Sequence, residues 1–207
     1  MMNKLIGVSG FARSGKDTFY ERCSIALKSY GAKSIRLSFA DALKKELDEL
    51  LIKNTGISAF TEVDSEKELI RPLLVTYGTE IRRKINPNCW IESISNEVSA
   101  LLDQGYFVFI TDVRFLNEAS WVKSSGGYLF NIKRENVKAA NKDESSQLKL
   151  FKHLIDYKIT WPTFGEGDIP LCDQYIAPLF SKSSSIDFFP KHNNLINSKC
   201  QLLNAVC

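Results

Sequence analysis

Apolar positions along the chain fall into two rhythms. Short unbroken apolar runs recur between longer stretches in which apolar residues return every third or fourth position, the signatures of buried strands and of helices. "KLIGVSG", ending at Gly10, "SIRLSF", "YFVFITDV", "YLFNIKR" and "HLIDYKIT" predict strands. "YFVFITDV" is an aromatic and β-branched run without polar alternation, as expected of a central parallel strand buried on both faces. Residues 16–30 place Phe19, Cys23, Ala26, Leu27 and Tyr30 at helical spacing, with Gly31 as the stop. "ADALKKELDELLIKN" predicts an amphipathic helix capped by Asp41, with Leu43, Leu47, Leu50 and Leu51 on one face.

Residues 53–68 read as a polar loop. "EKELIRPLLVTYGTEIRRKI" returns to a helical pattern that Pro72 interrupts, "CWIESISNEVSALLDQG" is a helix ended by Gly105, and "EASWVKSSGG" a helix and turn. Residues 136–149 are charged and lack apolar periodicity, as in a mobile lid or a solvated loop. Strands separated by helices imply a parallel α/β sheet with right-handed crossovers.

Composition narrows the class. The 207 residues suffice for one domain with a sizeable core, and 44% hydrophobic with 25% charged residues is an ordinary globular balance. A formal charge of +3 is too small to argue for a nucleic-acid surface. The five cysteines (Cys23, Cys89, Cys172, Cys200, Cys207) form no CxxC pair, which argues against a disulfide framework or a zinc site and for a reducing cytoplasm. No run approaches a membrane span, and "LIGVSGF" is too short and glycine-rich for a signal peptide. The tail 181–207 opens Ser-rich and then carries Phe188, Phe189, Leu195, Ile196, Leu202 and Leu203; it reads as a packed appendage or a homodimer contact.

Candidate chemistry concentrates at predicted strand ends. "GFARSGK" from Gly10 to Lys16 has the spacing of a phosphate-cradling loop, with Asp17 where a Ser or Thr normally follows the lysine and Thr18 one place later. Gly10 ends a strand and Lys16 opens a helix, so backbone N–H groups and the positive helix end converge where a phosphate would sit. In "FITDVRFLNEA" a buried strand delivers Asp112 and Arg114 to the carboxyl edge of the sheet, where open α/β folds bind ligands. Asp112 there suits magnesium binding through water or acceptance of a hydroxyl from the substrate, Arg114 a phosphate clamp, and Glu118 one turn later a support for Arg114. "YGTEIRRKINPNCW" joins a Gly78-Thr79 corner to Arg82, Arg83 and Trp90, parts suited to a nucleotide's phosphate and base. Lys133 and Arg134 end a strand just before the charged segment; His153 and His192 stand isolated.

Assembled, "SGFARSGKDT", "LSFADALKKEL", "YGTEIRRKINPNCWIESI", "ITDVRFLNEA" and "IDYKITW" resemble, in order over roughly residues 4–180, the deoxynucleoside monophosphate kinases of bacteriophages, within the P-loop nucleoside monophosphate kinase group. The resemblance implies a three-layer P-loop kinase fold, a central parallel sheet flanked by helices, with acceptor-binding helices about 41–100 and a mobile lid about 135–150. It implies transfer of the γ-phosphoryl of ATP, with Mg2+, to a deoxynucleoside monophosphate, and small-molecule nucleotides rather than nucleic acid or membrane as partners. Carried over by position, Gly10, Arg13, Ser14, Gly15, Lys16, Asp17 and Thr18 fall on the donor loop. Asp41, Lys44, Gly78, Thr79, Arg83, Trp90 and Glu118 fall on the acceptor side. Lys16, Asp112, Arg114 and Arg134 are the expected catalytic set, with Asp17 and Asp112 near the metal through water. Asp17 either orients a metal-bound water, pairs with an arginine, or is simply a first-turn carboxylate.

Two departures stand out. Where the family has His-x-Ser-Glu in the lid, "NKDESSQ" offers Asp143 and Ser145-Ser146; where it ends the last strand with Asn, Thr160-Trp161-Pro162 stands here. The same pieces also resemble phosphomevalonate kinases of the animal type and, more distantly, dephospho-coenzyme A kinases. A nucleotide-binding protein without catalysis is the reading from another class.

Overall fold

The structure, a computed structural model, describes residues 4–139 and 142–180. The tail 181–207 with His192, positions 140 and 141 of the expected lid, and the side chain of Asp143 lie outside the described residues.

Five strands, β1 (Leu5–Ser9), β2 (Ser34–Leu37), β3 (Phe107–Ile110), β4 (Tyr128–Arg134) and β5 (Tyr157–Trp161), form one sheet in the order β2-β3-β1-β4-β5. Every pairing is parallel, with Gly7 opposite Ile110 and Leu129, and Arg134 opposite Trp161. All residues of β1 and β3 are buried, the consequence of helices on both faces.

Alternation along β1 divides the core. Ile6 and Val8 meet Phe19, Cys23 and Leu27 of α1 (Lys16–Ser29) and Ile176 of α8 (Asp173–Ile176). Leu5 faces the other layer: Phe39 of α2 (Phe39–Thr55), Trp90 to Val98 of α5 (Cys89–Asp103), Ala119 and Val122 of α6 (Leu116–Ser124), and Phe151 of α7 (Lys142–Phe151). A smaller cluster of Leu47, Leu51, Ala59 and Ile70 joins α2 to α3 (Asp64–Val75).

Several expectations are corrected. The N-cap of α2 is Ser38, whose hydroxyl accepts the Asp41 N–H at 3.3 Å; Asp41 sits in the first turn. Leu50 is 55% exposed, because Leu47, Leu51 and part of Leu43 are the leucines of α2 that turn toward α3. The segment 53–68 is loop only between Thr55 and Asp64. Pro72 does not interrupt its helix: α3 runs through it, and a π-helical segment, Thr76–Arg82, follows, passing into the single turn α4 (Arg83–Ile85). Gly78-Thr79 is therefore inside a helix rather than a corner. Residues 142–151 form α7, which closes on the core through Phe151 and Leu148. His153 and Leu154 belong to a 3-10 turn before β5.

Candidate active site

The loop between β1 and α1 is tightly seated. Gly10 has φ +144°, and a Cβ there would lie 2.3 Å from the Ile132 carbonyl of β4, so only glycine fits. Ser14 N–H donates to the Phe11 carbonyl at 3.1 Å, while Arg13 and Gly15 adopt left-handed backbone at φ +60° and +90°. Lys16 folds back over the loop, its ammonium donating to the carbonyls of Gly10 (3.0 Å) and Phe11 (2.9 Å). Thr18 is half-buried in the first turn of α1. Asp17, exposed, accepts from Arg36 of β2 at 2.9 Å, and Arg36 also reaches Asp41 at 3.3 Å. Of the readings open for Asp17, the structure shows the arginine pair.

The exit of β3 lies beside this loop, since the Val113 N–H donates to the Val8 carbonyl at 3.1 Å. There Asp112 accepts from Ser38 Oγ and from the Phe39 and Ala40 N–H groups, each at 2.9 Å. Glu118 is buried and accepts the Arg114 and Phe115 N–H groups (2.8 and 3.0 Å) and the Arg83 guanidinium at 2.6 Å. Burial pushes its carboxyl above the ordinary glutamate value, against the pull of Arg83. Glu118 thus holds Arg114 through its backbone N–H and also holds the guanidinium of Arg83, which stacks 4.1 Å over the Phe115 ring.

A cavity of about 320 Å³ opens from this point along α2 and α3. Lys44, Gly78, Thr79, Arg83, Trp90, Asp112 and Arg114, all expected, line it, together with the apolar Phe39, Leu43, Ile70 and Phe115. Its lining charges are Lys44, Lys67, Arg71, Arg83 and Arg114 against Asp112, with Lys67 paired to Glu62, Arg71 to Glu68 and Arg83 to Glu118. The Trp90 indole donates to the Gly78 carbonyl at 3.3 Å, taking up an acceptor in the π-helical segment. Arg82 instead turns out, pairing with Glu46 at 2.8 Å beneath Tyr77.

Asp41 and Glu118 do not line the cavity: Asp41 pairs with Arg36, and Glu118 with Arg83, which does line it. Arg134 ends β4, next to the strand that feeds the loop, and its Nε is buried without a hydrogen-bond partner among the described residues, as is Ser14 Oγ. Sequence reasoning missed Arg36, Ser38, Lys67, Arg71 and the role of Trp161, whose indole donates to the Ser14 carbonyl at 2.9 Å. Ser38 carried a legible signal, a serine immediately before a helical run. The others had none, being brought in by neighbouring strands and helices.

No protein-family model matches the chain. A protein of Acanthamoeba polyphaga mimivirus described as "Putative deoxynucleotide monophosphate kinase" is 30% identical over 163 residues, which span 70% of this chain and 81% of that one. The chain belongs to the deoxynucleotide monophosphate kinase family. Among solved structures, a dephospho-CoA kinase from Campylobacter jejuni is similar at 19% identity and a TM-score of 0.48, over 85% of this chain and 96% of that one. A Thermus thermophilus protein follows at 13% identity and 0.45, over 88% and 100%.

The kinase has no group of three or more His, Cys, Asp or Glu arranged to hold a metal among its described residues. Both Asp112 oxygens are engaged by the start of α2, and one Asp17 oxygen by Arg36. This donor set does not fit direct magnesium coordination by a protein cage; it fits an ion held by donor phosphates and water, with these carboxylates outside it. No helix among the described residues is long and apolar enough to cross a membrane.

Proposed function

We propose that this kinase transfers the γ-phosphoryl group of ATP to a deoxynucleoside monophosphate, giving the diphosphate. The observation that carries the reading is the cationic, partly aromatic cavity directly beside a glycine-rich strand-to-helix loop. The relative's name supports the choice of acceptor.

In this reading the loop's N–H groups and Lys16 bind the donor phosphates, which draw the Lys16 ammonium from the Gly10 and Phe11 carbonyls. Magnesium, carried on those phosphates, supplies charge neutralisation. Arg83, already oriented by Glu118 and Phe115, receives the acceptor phosphate, with Arg114 beside it. Trp90, Phe39 and Leu43 wall the nucleoside end. Arg134, at the end of β4, neutralises the transferring group. Ser38 and Glu118 position, and do not touch, the reacting groups.

The test is ADP release with ATP, magnesium and each deoxynucleoside monophosphate in turn, with phosphomevalonate and dephospho-coenzyme A as control acceptors. Turnover with deoxynucleotides alone is expected. Turnover only with a control acceptor reassigns the substrate. Silence with every acceptor in a folded protein that binds ATP leaves a nucleotide-binding role.

A further inference from the structure

Trp161 ends β5 at the edge of the sheet, where the alternation of Tyr157, Ile159 and Trp161 turns every second side chain into the core. It is 1% exposed, and its indole is packed by Phe19 and Phe164 at 6.5 and 6.2 Å. It is separated from the phosphate loop by 147 positions in sequence, yet its Nε1–H donates to the Ser14 carbonyl at 2.9 Å. A Cβ on Gly15 would lie 2.9 Å from its Cζ2 and 3.2 Å from its Nε1, so the ring occupies the space beside Gly15.

We propose that Trp161 is a positioning residue for the donor phosphate loop, setting the orientation of the Ser14–Gly15 peptide. The proposal rests on the reading of residues 10–18 as the donor site. A planar trans peptide places its N–H opposite its C=O. Anchoring the Ser14 carbonyl on the indole therefore turns the Gly15 N–H away from Trp161, and backbone N–H groups are what such a loop offers a phosphate. The left-handed residues on either side, Arg13 and Gly15, need surroundings that hold them, and the ring supplies a wall against which Gly15 cannot relax. The same residue's carbonyl accepts the Glu135 N–H at 2.9 Å, so it also fixes the main chain just beyond Arg134.

ATP binding is measured by calorimetry without acceptor, followed by steady-state kinetics, on wild type, Trp161→Phe and Lys16→Met. Phenylalanine keeps an aromatic wall and removes the donor. Trp161→Phe is expected to bind ATP about tenfold more weakly and to raise the KM for ATP by a similar factor, with the acceptor KM within twofold. A merely structural role would lower the melting temperature while leaving the folded protein's ATP affinity alone; affinity within twofold of wild type overturns the proposal. Lys16→Met binding ATP as tightly as wild type instead overturns the donor-loop reading itself, so the two failures are distinct. If Trp161→Phe does not fold, 5-fluorotryptophan in the otherwise wild-type chain gives a second measure, with Trp90→Phe and Trp121→Phe assigning the other two signals. A Trp161 resonance that shifts saturably with ATP supports the proposal; one that stays still while calorimetry registers binding overturns it.

Discussion

Ser38 and Asp112 are joined across the sheet: the Ser38 hydroxyl donates to Asp112 Oδ2 at 2.9 Å, and in turn accepts the Asp41 N–H at 3.3 Å. Asp112 also takes the Phe39 and Ala40 N–H groups, so the carboxylate at the exit of β3 closes the amino terminus of α2, where its charge opposes the helix dipole. Asp112→Asn keeps one acceptor oxygen, loses the charge and sets an amide against an N–H donor. It is expected to lower stability by about 2 kcal/mol, or the melting temperature by roughly 4–8 °C. Thermal unfolding checks this; an unchanged midpoint would show that α2 does not depend on the carboxylate.

Glu118 couples pH to the acceptor cavity. Burial raises its folded-state pKa above the ordinary 4.5, with Arg83 and two backbone N–H groups opposing the rise. Below pH 4.5 its contribution to stability is fully present, and it is lost as pH climbs through the raised folded value. Between those two values, falling pH should stabilise wild type relative to Glu118→Gln. Over the same window protonation removes the partner of Arg83, so acceptor KM rises. Melting temperature and acceptor KM of wild type should therefore both rise as pH falls through this window, while Glu118→Gln should show neither trend.

Gly78 of the π-helical segment faces Leu43 of α2: a Cβ would lie 2.9 Å from Leu43 Cδ2. Gly78→Ala should displace this wall of the cavity at a cost of about 1–2 kcal/mol, read as a several-fold rise in acceptor KM with ATP KM unchanged. Leu43→Val removes the atom that would clash. In that background Gly78→Ala should cost markedly less, a non-additivity that a double-mutant cycle measures directly.

The Arg36 bridge between Asp17 and Asp41 crosses from α1 to α2 at the surface, with side chains 37, 68 and 32% exposed. Pairs so open to solvent contribute little, and Arg36→Gln should change stability by less than about 1 kcal/mol. Equilibrium denaturation that shows a loss several times larger would mean that the bridge is a structural tie between the two helices.

Lys16→Met should abolish turnover, by about a hundredfold or more, while leaving the fold intact, since the Lys16 ammonium bonds to carbonyls of its own loop, those of Gly10 and Phe11. A variant with near-full activity removes Lys16 from the mechanism.

The sheet was legible because β1 and β3 are buried on both faces, as the unbroken run "YFVFITDV" shows, and β5 alternates cleanly. The loop was legible because its glycines answer to local geometry, Gly10 against Ile132 and Gly15 in left-handed backbone. The misreadings are as instructive. Pro72 and Gly78 are helix breakers by propensity, yet packing of Ile70 on α2 and the Trp90 indole on the Gly78 carbonyl carry the helix through both. Residues 142–151 show too weak an apolar period to read as helical, and are held by Leu148 and Phe151 closing on the core.

By itself the sequence determined the α/β order, the position of the phosphate loop and the residue types that gather at the strand ends, because these depend on local periodicity and on backbone conformations only glycine tolerates. Only the tertiary structure decided who holds whom: Asp112 the start of α2, Glu118 the Arg83 guanidinium, Trp161 the Ser14 carbonyl. Those partners lie 74, 35 and 147 positions apart. Strand order and helix packing bring them within hydrogen-bonding distance, and no pattern confined to one segment encodes that.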